Sequence, residues 1–384
     1  MFNQEDKEEQ EIQAIKLIDQ AETLADRGKG EEAIKIYEEA AQIYLDLGSY
    51  IKLDELFIRI TSIILQFKNN IQATYRLKSI IRKTEELKLY EISAKLLINL
   101  GNISFKMNDW ETAGESWSQA SEYLYESDPE EFLNLASILL LKAGQSYERA
   151  SQTRELGKQL IFKAVMRHNK FFEQYQEEEK QGQLLIANKD FEAASKKFHD
   201  VSSYFKKSLD NLSDLLNEEE DKDTMLNAKA RFIHFIAEYQ TISAICLSAL
   251  NIPEHNEKIK TVGMDSIELF KESISLFKNY LFPKKKEFDK EIVLRVTFDT
   301  MLLAIIQRIL EIEEIKCTEN LLSGIESNKA LIKTIKKSPY FQLTKEIEEV
   351  GLTDTLENIR KVNLGHFESI KNTLVSHFLE QNRL

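Results

Sequence analysis

One pattern limits what this chain can fold into: small and bulky apolar residues alternate on a helical face and return at a fixed interval. In "EEAIKIYEEAAQIYLDLGSY" (31–50), Ala33, Tyr37, Ala40 and Tyr44 fall three and four residues apart, and the run stops at Gly48. That spacing marks one face of an α-helix, and glycine accepts the left-handed turn with which helices end. Forty residues on, the same positions hold Ala73, Leu77 and Ile80; after forty more they hold Ala113, Trp117 and Ala120. A further 81 residues on, "NKDFEAASKKFHDVSSYF" supplies Phe191, Ala194, Phe198 and Val201. The stretch between these last copies keeps a helical period with a poorer match, and 264–281 echoes the second helix of a unit. A single helical hairpin cannot bury its apolar face alone, so a fixed-period repeat of hairpins predicts stacking into a solenoid.

Each unit partly matches the tetratricopeptide pattern. Leu97, Leu100 and Gly101 stand on the first helix, and Ala113, Trp117 and Ala120 on the second, at a period near 40 rather than the usual 34. Longer helices account for the difference. The predicted fold is all-α: a tetratricopeptide-like, right-handed α-solenoid of helical hairpins over 1–335, with a long middle insert at about 160–300. A C-terminal helical capping bundle is expected over 336–384, after the break at Pro339. With 4 prolines and 12 glycines in 384 residues, the chain has too few turn formers for a sheet protein. Asp128 and Pro129 predict a capped helix start. The acidic runs at 174–182 and 217–224 read as solvated helix ends or loops, and Pro253 and Pro283, the latter followed by Lys284 to Lys286, mark turns.

A net charge of −13 argues against a general nucleic-acid binder, which needs a basic surface for phosphate. The longest uncharged apolar run, Tyr239 to Pro253, is too short and too polar to span a bilayer. The acidic N-terminus lacks the basic and then apolar order of a signal peptide. The expectation is a cytoplasmic protein that is monomeric alone and meets membranes only through partners. Cys246 and Cys317 sit in apolar helical stretches and read as buried free thiols of a reducing compartment.

Catalytic motifs are absent. The six histidines form no HExxH and no close cluster with cysteine, and no phosphate-cradling glycine loop is present. His366 and His377 lie about three helical turns apart without a third donor nearby. Ser203-x-x-Lys206 and Ser275-x-x-Lys278 match S-x-x-K only as background in a Lys- and Ser-rich helical chain. The expectation is a protein that is not an enzyme and holds no cofactor and no metal. Trp110, Trp117, Tyr37, Phe198 and Phe205 read as core at helical spacing, and Lys196, Lys197, Lys206 and Lys207 flank the Phe198–Phe205 face as a local basic strip. Such a strip suits an acidic helical partner.

The opening repeat resembles that of the soluble NSF-attachment proteins, the SNAP adaptors. Their repeats carry E-A-I-x-x-[large]-x-x-A-A-x-[IL]-Y followed by an acidic turn and Gly. Near the C-terminus, Pro339-Tyr340-Phe341-x-x-Thr344-Lys345-Glu346 is similar to the family's Pro-x-Phe-x-x-Ser-Arg-Glu, and Asn363 with Phe367 resembles a polar-to-Phe spacing in the same bundle. The resemblance covers about 15–150 and 335–375 and implies an adaptor that grips a SNARE-type coiled coil and recruits an AAA ATPase. It implies the coiled-coil contact for Lys196, Lys197, Lys206 and Lys207, and the ATPase contact for Glu346, Glu348 and Glu349. The chain departs from the family in three places. The first turn, "DRGKGEE", lacks the family's paired Phe residues, the 160–300 region is longer, and the last helix stops about one helix early at "HFLEQNRL". The alternative reading is a peptide-sensing tetratricopeptide regulator, in which Asn99 and Asn102 clamp a peptide backbone. A third, a helical enzyme, requires ionisable groups clustered around a cavity.

Overall fold

A computed structural model describes residues 4–67, 70–150, 152–216, 222–282 and 290–381. Pro283, Lys284 to Lys286 and most of the 217–224 acidic run lie outside the described residues, as do the side chains of His366 and His377. Among the described residues the regular structure is entirely helical. The chain divides into two compact units, Met1–Ala164 and Val165–Leu384.

The first unit contains α1 (Gln4–Asp26), α2 (Gly30–Leu47), α3 (Tyr50–Phe67), α4 (Asn70–Glu86), α5 (Tyr90–Lys106), α6 (Trp110–Ser127), α7 (Pro129–Arg149) and most of α8 (Arg154–His168). Neighbouring helices pack as hairpins, most tightly α1 on α2, α5 on α6 and α6 on α7. The repeat is written into the backbone at its turns. Gly28, Gly48, Lys88 and Asn108 all hold positive φ, at 76°, 70°, 59° and 59°, and fall twenty or forty residues apart. At Gly48 the amide donates to Leu45 O, and the Ser49 amide donates to Tyr44 O at 2.9 Å, closing the helix end.

Side chains one period apart link successive units. Lys52 Nζ of α3 reaches Glu11 of α1 at 3.1 Å, across 41 residues, and Lys95 of α5 pairs with Asp54 of α3 across the same interval. On the other set of helices Arg76 pairs with Glu31 and Glu38, Glu85 accepts from Gln119 (2.7 Å) and Tyr123 (2.9 Å), and Lys163 reaches Glu122 at 2.9 Å. Odd helices thus tie to odd and even to even, the arrangement of stacked hairpins. These pairs are half exposed and stabilise little individually. Burial carries the stack: Ala33, Ala40, Leu77, Ala113 and Ala120 have no exposed surface, and Ala73 has 1%.

The small and large alternation has a direct geometric meaning. A Cβ at Gly101 would stand 2.6 Å from the Trp117 ring, and one at Gly182 would stand 2.8 Å from the Phe198 ring. Both pairs are sixteen residues apart, and the same offset from Tyr37 and Leu77 leads to the small buried residues Ala21 and Thr61. At Gly101 and Gly182 the bulky residue of the second helix therefore lies against a small residue on the first. The cap at α7 follows the sequence reading: Asp128 accepts the amides of Glu130 and Glu131, both at 3.0 Å. Asp128→Ala should cost about 1 kcal/mol, the usual price of a lost N-cap, as a lower urea midpoint followed by tryptophan fluorescence. Both tryptophans, Trp110 and Trp117, report on this unit.

The second unit contains α9 (Phe172–Ala187), α10 (Phe191–Asp210), α11 (Lys222–Ala249), α12 (Asn256–Leu276), α13 (Lys290–Ile309), α14 (Cys317–Leu322), α15 (Lys329–Lys337), α16 (Pro339–Val350), α17 (Leu352–Ile359) and α18 (Glu368–Gln381). Helices α10, α11 and α12 pack consecutively. Phe198, Phe205, Phe232 and Tyr239 are each 1% exposed or less, with the Phe205 and Tyr239 rings stacked 5.4 Å apart. Helix α13 packs on α16, where the Thr297 and Ser338 hydroxyls meet at 2.7 Å and Arg308 donates to the carbonyls of Ile347 and Glu348. Helix α18 returns against α11 and α9. Cys246 and Cys317 are buried and free of disulfides, and burial pushes both thiols up to about 12.

Candidate functional site

The residues singled out in the sequence occupy three places, α10 and α16 in the second unit and α5 in the first. Lys196 and Lys206 project from α10 into solvent. Lys197 is half-buried and pairs with Glu178 of α9 at 2.6 Å, which raises the lysine pKa. The Lys207 ammonium lies 5.7 Å from the centre of the Phe171 ring. The helix interleaves Glu192, Asp200 and Asp210 among these lysines, so the strip carries both signs. The acidic residues on α16 divide similarly. Glu348 accepts the Thr318 amide at 2.9 Å and also its hydroxyl, holding the start of α14. Glu346 accepts from Asn358 Nδ2 at 2.7 Å, and the exposed Glu349 pairs with Lys345 at 3.4 Å. In the first unit Asn99 donates to Lys95 O in its own helix at 3.1 Å, and Asn102 is exposed.

The two C-terminal segments of the family resemblance meet in space. Tyr340 Oη, at the start of α16, donates to Asn363 O at 3.0 Å, while Phe341 and Phe367 are buried. Their meeting place closes one side of a cleft of about 230 Å³ that no motif announced. Helix α11 contributes His234, Phe235 and Glu238 to it; α13 contributes Glu291, Leu294, Arg295 and Phe298; Tyr340, Leu364 and Gly365 complete the wall.

Beneath this cleft runs a buried ionic chain. Ser273 Oγ on α12 donates to Asp299 Oδ2 at 2.6 Å, and Asp299 Oδ1 meets His234 Nδ1 at 2.5 Å. On the ring's other side, His234 Nε2 stands 3.4 Å from Glu238 Oε2, an ion-pair contact without hydrogen-bond alignment. The His234, Asp299 and Glu238 residues are 3%, 0% and 1% exposed. Burial pushes the His234 pKa down, but the adjacent Asp299 and Glu238 carboxylates outweigh it and raise the value above the ordinary 6.5. The two carboxylates thus favour the protonated imidazole between them. Arg231, itself buried, donates to Glu291 at 3.1 Å, and the Arg295 guanidinium lies 5.8 Å from the Phe235 ring centre. The only sequence signal for this chain was i,i+4 spacing of His234 and Glu238 on one helix; Asp299 lies 65 residues on, beyond the reach of local pattern.

The first unit carries a different feature. On α3, Ile51, Ile58 and Leu65 are 83%, 54% and 46% exposed and stand seven residues apart. A seven-residue step returns to nearly the same side of a helix, so they form one apolar stripe in water.

Among the described residues no group of His, Cys, Asp and Glu is arranged to hold a metal, and no helix is long and apolar enough to cross a membrane. No family model matches the chain. No curated protein matches it either. Among solved structures, a circular tandem repeat protein with novel repeat topology and enhanced subunit contact surfaces aligns at 16% identity over 96% of this chain and 86% of that one, with a TM-score of 0.29. That score is too low to carry an argument. The architecture rests on the helices themselves, a helical-repeat arrangement of stacked hairpins.

Proposed function

We propose that the protein is a non-enzymatic adaptor of the SNAP type that docks a helical or coiled-coil partner and hands it to an AAA ATPase. The observation that carries this reading is the α3 stripe. Three large aliphatic side chains facing water at seven-residue spacing suit a partner helix laid along α3, whose own apolar positions repeat every 3.5 residues. Neighbouring polar groups on α3 are tied back to the scaffold, Lys52 to Glu11 and Arg59 to Glu22, which leaves the stripe presented on an ordered helix. In the second unit the exposed Lys196 and Lys206 offer charge to an acidic helix, with Lys197 and Lys207 beside them. Glu349 is the acidic α16 residue open to an ATPase, whereas Glu346 and Glu348 already hold neighbouring helices. On this reading 336–384 caps the repeat, and the adaptor is a cytoplasmic monomer that reaches membranes through its partners.

The test is site-specific photocrosslinking from position 58, in cells and in native lysate with and without ATP. The expected product is a protein crosslinked within a segment of heptad sequence, lost in Ile58→Asp and released when ATP is supplied. Crosslinking to an extended segment, or to a second copy of this chain, would overturn the reading.

A further inference from the structure

A second cavity in the same unit, of about 510 Å³, opens between α12, α13 and α14. Its floor is apolar: Ile274, Leu303 and Leu321 line it and are buried. Its walls carry three lysines from three segments, Lys271 on α12, Lys278 just beyond that helix and Lys316 just ahead of α14. Against them the lining holds one carboxylate, Glu314. Lys278 is half-buried, whereas Lys271 and Lys316 are exposed. Lys278 also stands where the helix widens. Phe277–Leu281 continues α12 as a π-helix, and the Phe282 amide donates to Phe277 O, five residues back, at 3.0 Å. Short π-helical turns of this kind recur at functional sites.

The Lys278 ammonium donates to Asn320 O at 2.6 Å, a neutral main-chain acceptor. Glu326 acts on it from further off and is itself engaged with the Gly324 amide at 2.9 Å. Burial holds the Lys278 pKa below its ordinary value, so the charge there is under-compensated. Lys271 pairs with Glu268 at 2.7 Å and Lys316 with Glu314, in both cases between exposed side chains. Exposed pairs stabilise little, and a better anion can replace the carboxylate. Each ammonium has three N–H donors, so all three lysines keep some to offer. No guanidinium lies among the lining residues. Ammonium point charges suit a compact, multiply charged tetrahedral anion, whereas the flat carboxylate is matched best by the arginine fork. A cavity of this size with an apolar floor also seats an organic body. We infer that it binds a small organic phosphate monoester, with the phosphate on Lys278, Lys271 and Lys316 and the carbon body on Ile274, Leu303 and Leu321. The inference is independent of the docking stripe on α3.

Calorimetric titration of the full chain with phenyl phosphate tests it. Inorganic phosphate, which lacks the body, benzoate, which carries a carboxylate instead, and uncharged phenol serve as comparisons. Saturable binding of phenyl phosphate is expected, roughly tenfold tighter than that of inorganic phosphate or benzoate, with none of phenol. Added salt should weaken it. Lys278→Met should weaken it roughly tenfold, since the methionine keeps the length and loses the charge. A labelling experiment on the wild type stands in if that variant fails to fold. Phenyl phosphate should protect Lys278, Lys271 and Lys316 from acetylation by an N-hydroxysuccinimide ester, and leave the exposed Lys196 and Lys206 at their free rates. No saturable binding of phenyl phosphate to the folded wild type overturns the inference. So does binding of inorganic phosphate or benzoate that is equally tight, or labelling of Lys278 that phenyl phosphate leaves unchanged.

Discussion

Asp299→Ala should cost about 3–5 kcal/mol, as much as truncating a buried core phenylalanine. Asp299 is fully buried and holds two partners, His234 at 2.5 Å and Ser273 at 2.6 Å. Removing it leaves the buried imidazole without its hydrogen-bonded counter-charge and the Ser273 hydroxyl with only the Ala230 carbonyl, at 3.3 Å, as acceptor. The loss has a pH signature. The folded-state pKa of His234 is raised above 6.5: burial opposes the cation, and Asp299 and then Glu238 more than compensate. A raised value means that the folded state binds the proton more tightly than the unfolded state. The contribution is therefore complete below about pH 6.5 and is lost as pH rises through the folded-state value. Wild-type stability from this group should fall across that window, and in Asp299→Ala the fall should shrink. Far-UV circular dichroism in urea at several pH values reads both effects. Because both tryptophans lie in the first unit, their fluorescence serves as a separate record of that unit in the same samples. Equal slopes against pH in the two proteins would show that His234 is not held as the cation.

Why was the stack legible in the sequence while the cleft was not? Burial at 33, 40, 73, 113 and 120 follows from a face that recurs every three to four residues, and its return at 40 follows from hairpins that stack. Both are local regularities that a single chain displays. The fit of Trp117 against Gly101 was half visible, since both residues stood out but their sixteen-residue pairing did not. Lys197 and Glu348 show the limit on the surface: each reads as free charge, and each is bound by a group on another helix, Glu178 and Thr318. The His234, Asp299 and Ser273 chain lies wholly beyond local pattern. Its members come from α11, α13 and α12, and each reads alone as an ordinary helical polar residue. A charge buried by packing becomes evident only when the packing is known.

The crossing of α7 and α8 shows how far steric fit, more than propensity, sets this fold. Gly157→Ala exchanges a poor helix former for the best one and should gain about 1 kcal/mol on propensity alone. The opposite is expected. A Cβ at Gly157 would stand 2.6 Å from Gly144 O and 2.8 Å from Glu148 N, both main-chain atoms of α7. A Cβ at Gly144 would meet Gly157 O at 2.7 Å, so the two helices touch through facing glycines. Main-chain atoms of a helix cannot step aside as a side-chain tip can, so the helices must separate. Separation strips contacts from Ile161, which is 3% exposed, and overpacking of this kind costs about 1–3 kcal/mol. We expect Gly157→Ala to lose about 1 kcal/mol net, and Gly157→Leu to undock α8 from α7. Gly28→Ala is the contrasting case. Its added methyl meets nothing within 4 Å, and the cost there is the positive φ of 76° alone, about 1 kcal/mol. Urea unfolding followed by the fluorescence of Trp110 and Trp117 orders the three variants. A Gly157→Ala midpoint at or above wild type would mean that propensity outweighs the close approach, and that the crossing has slack the helix positions do not reveal.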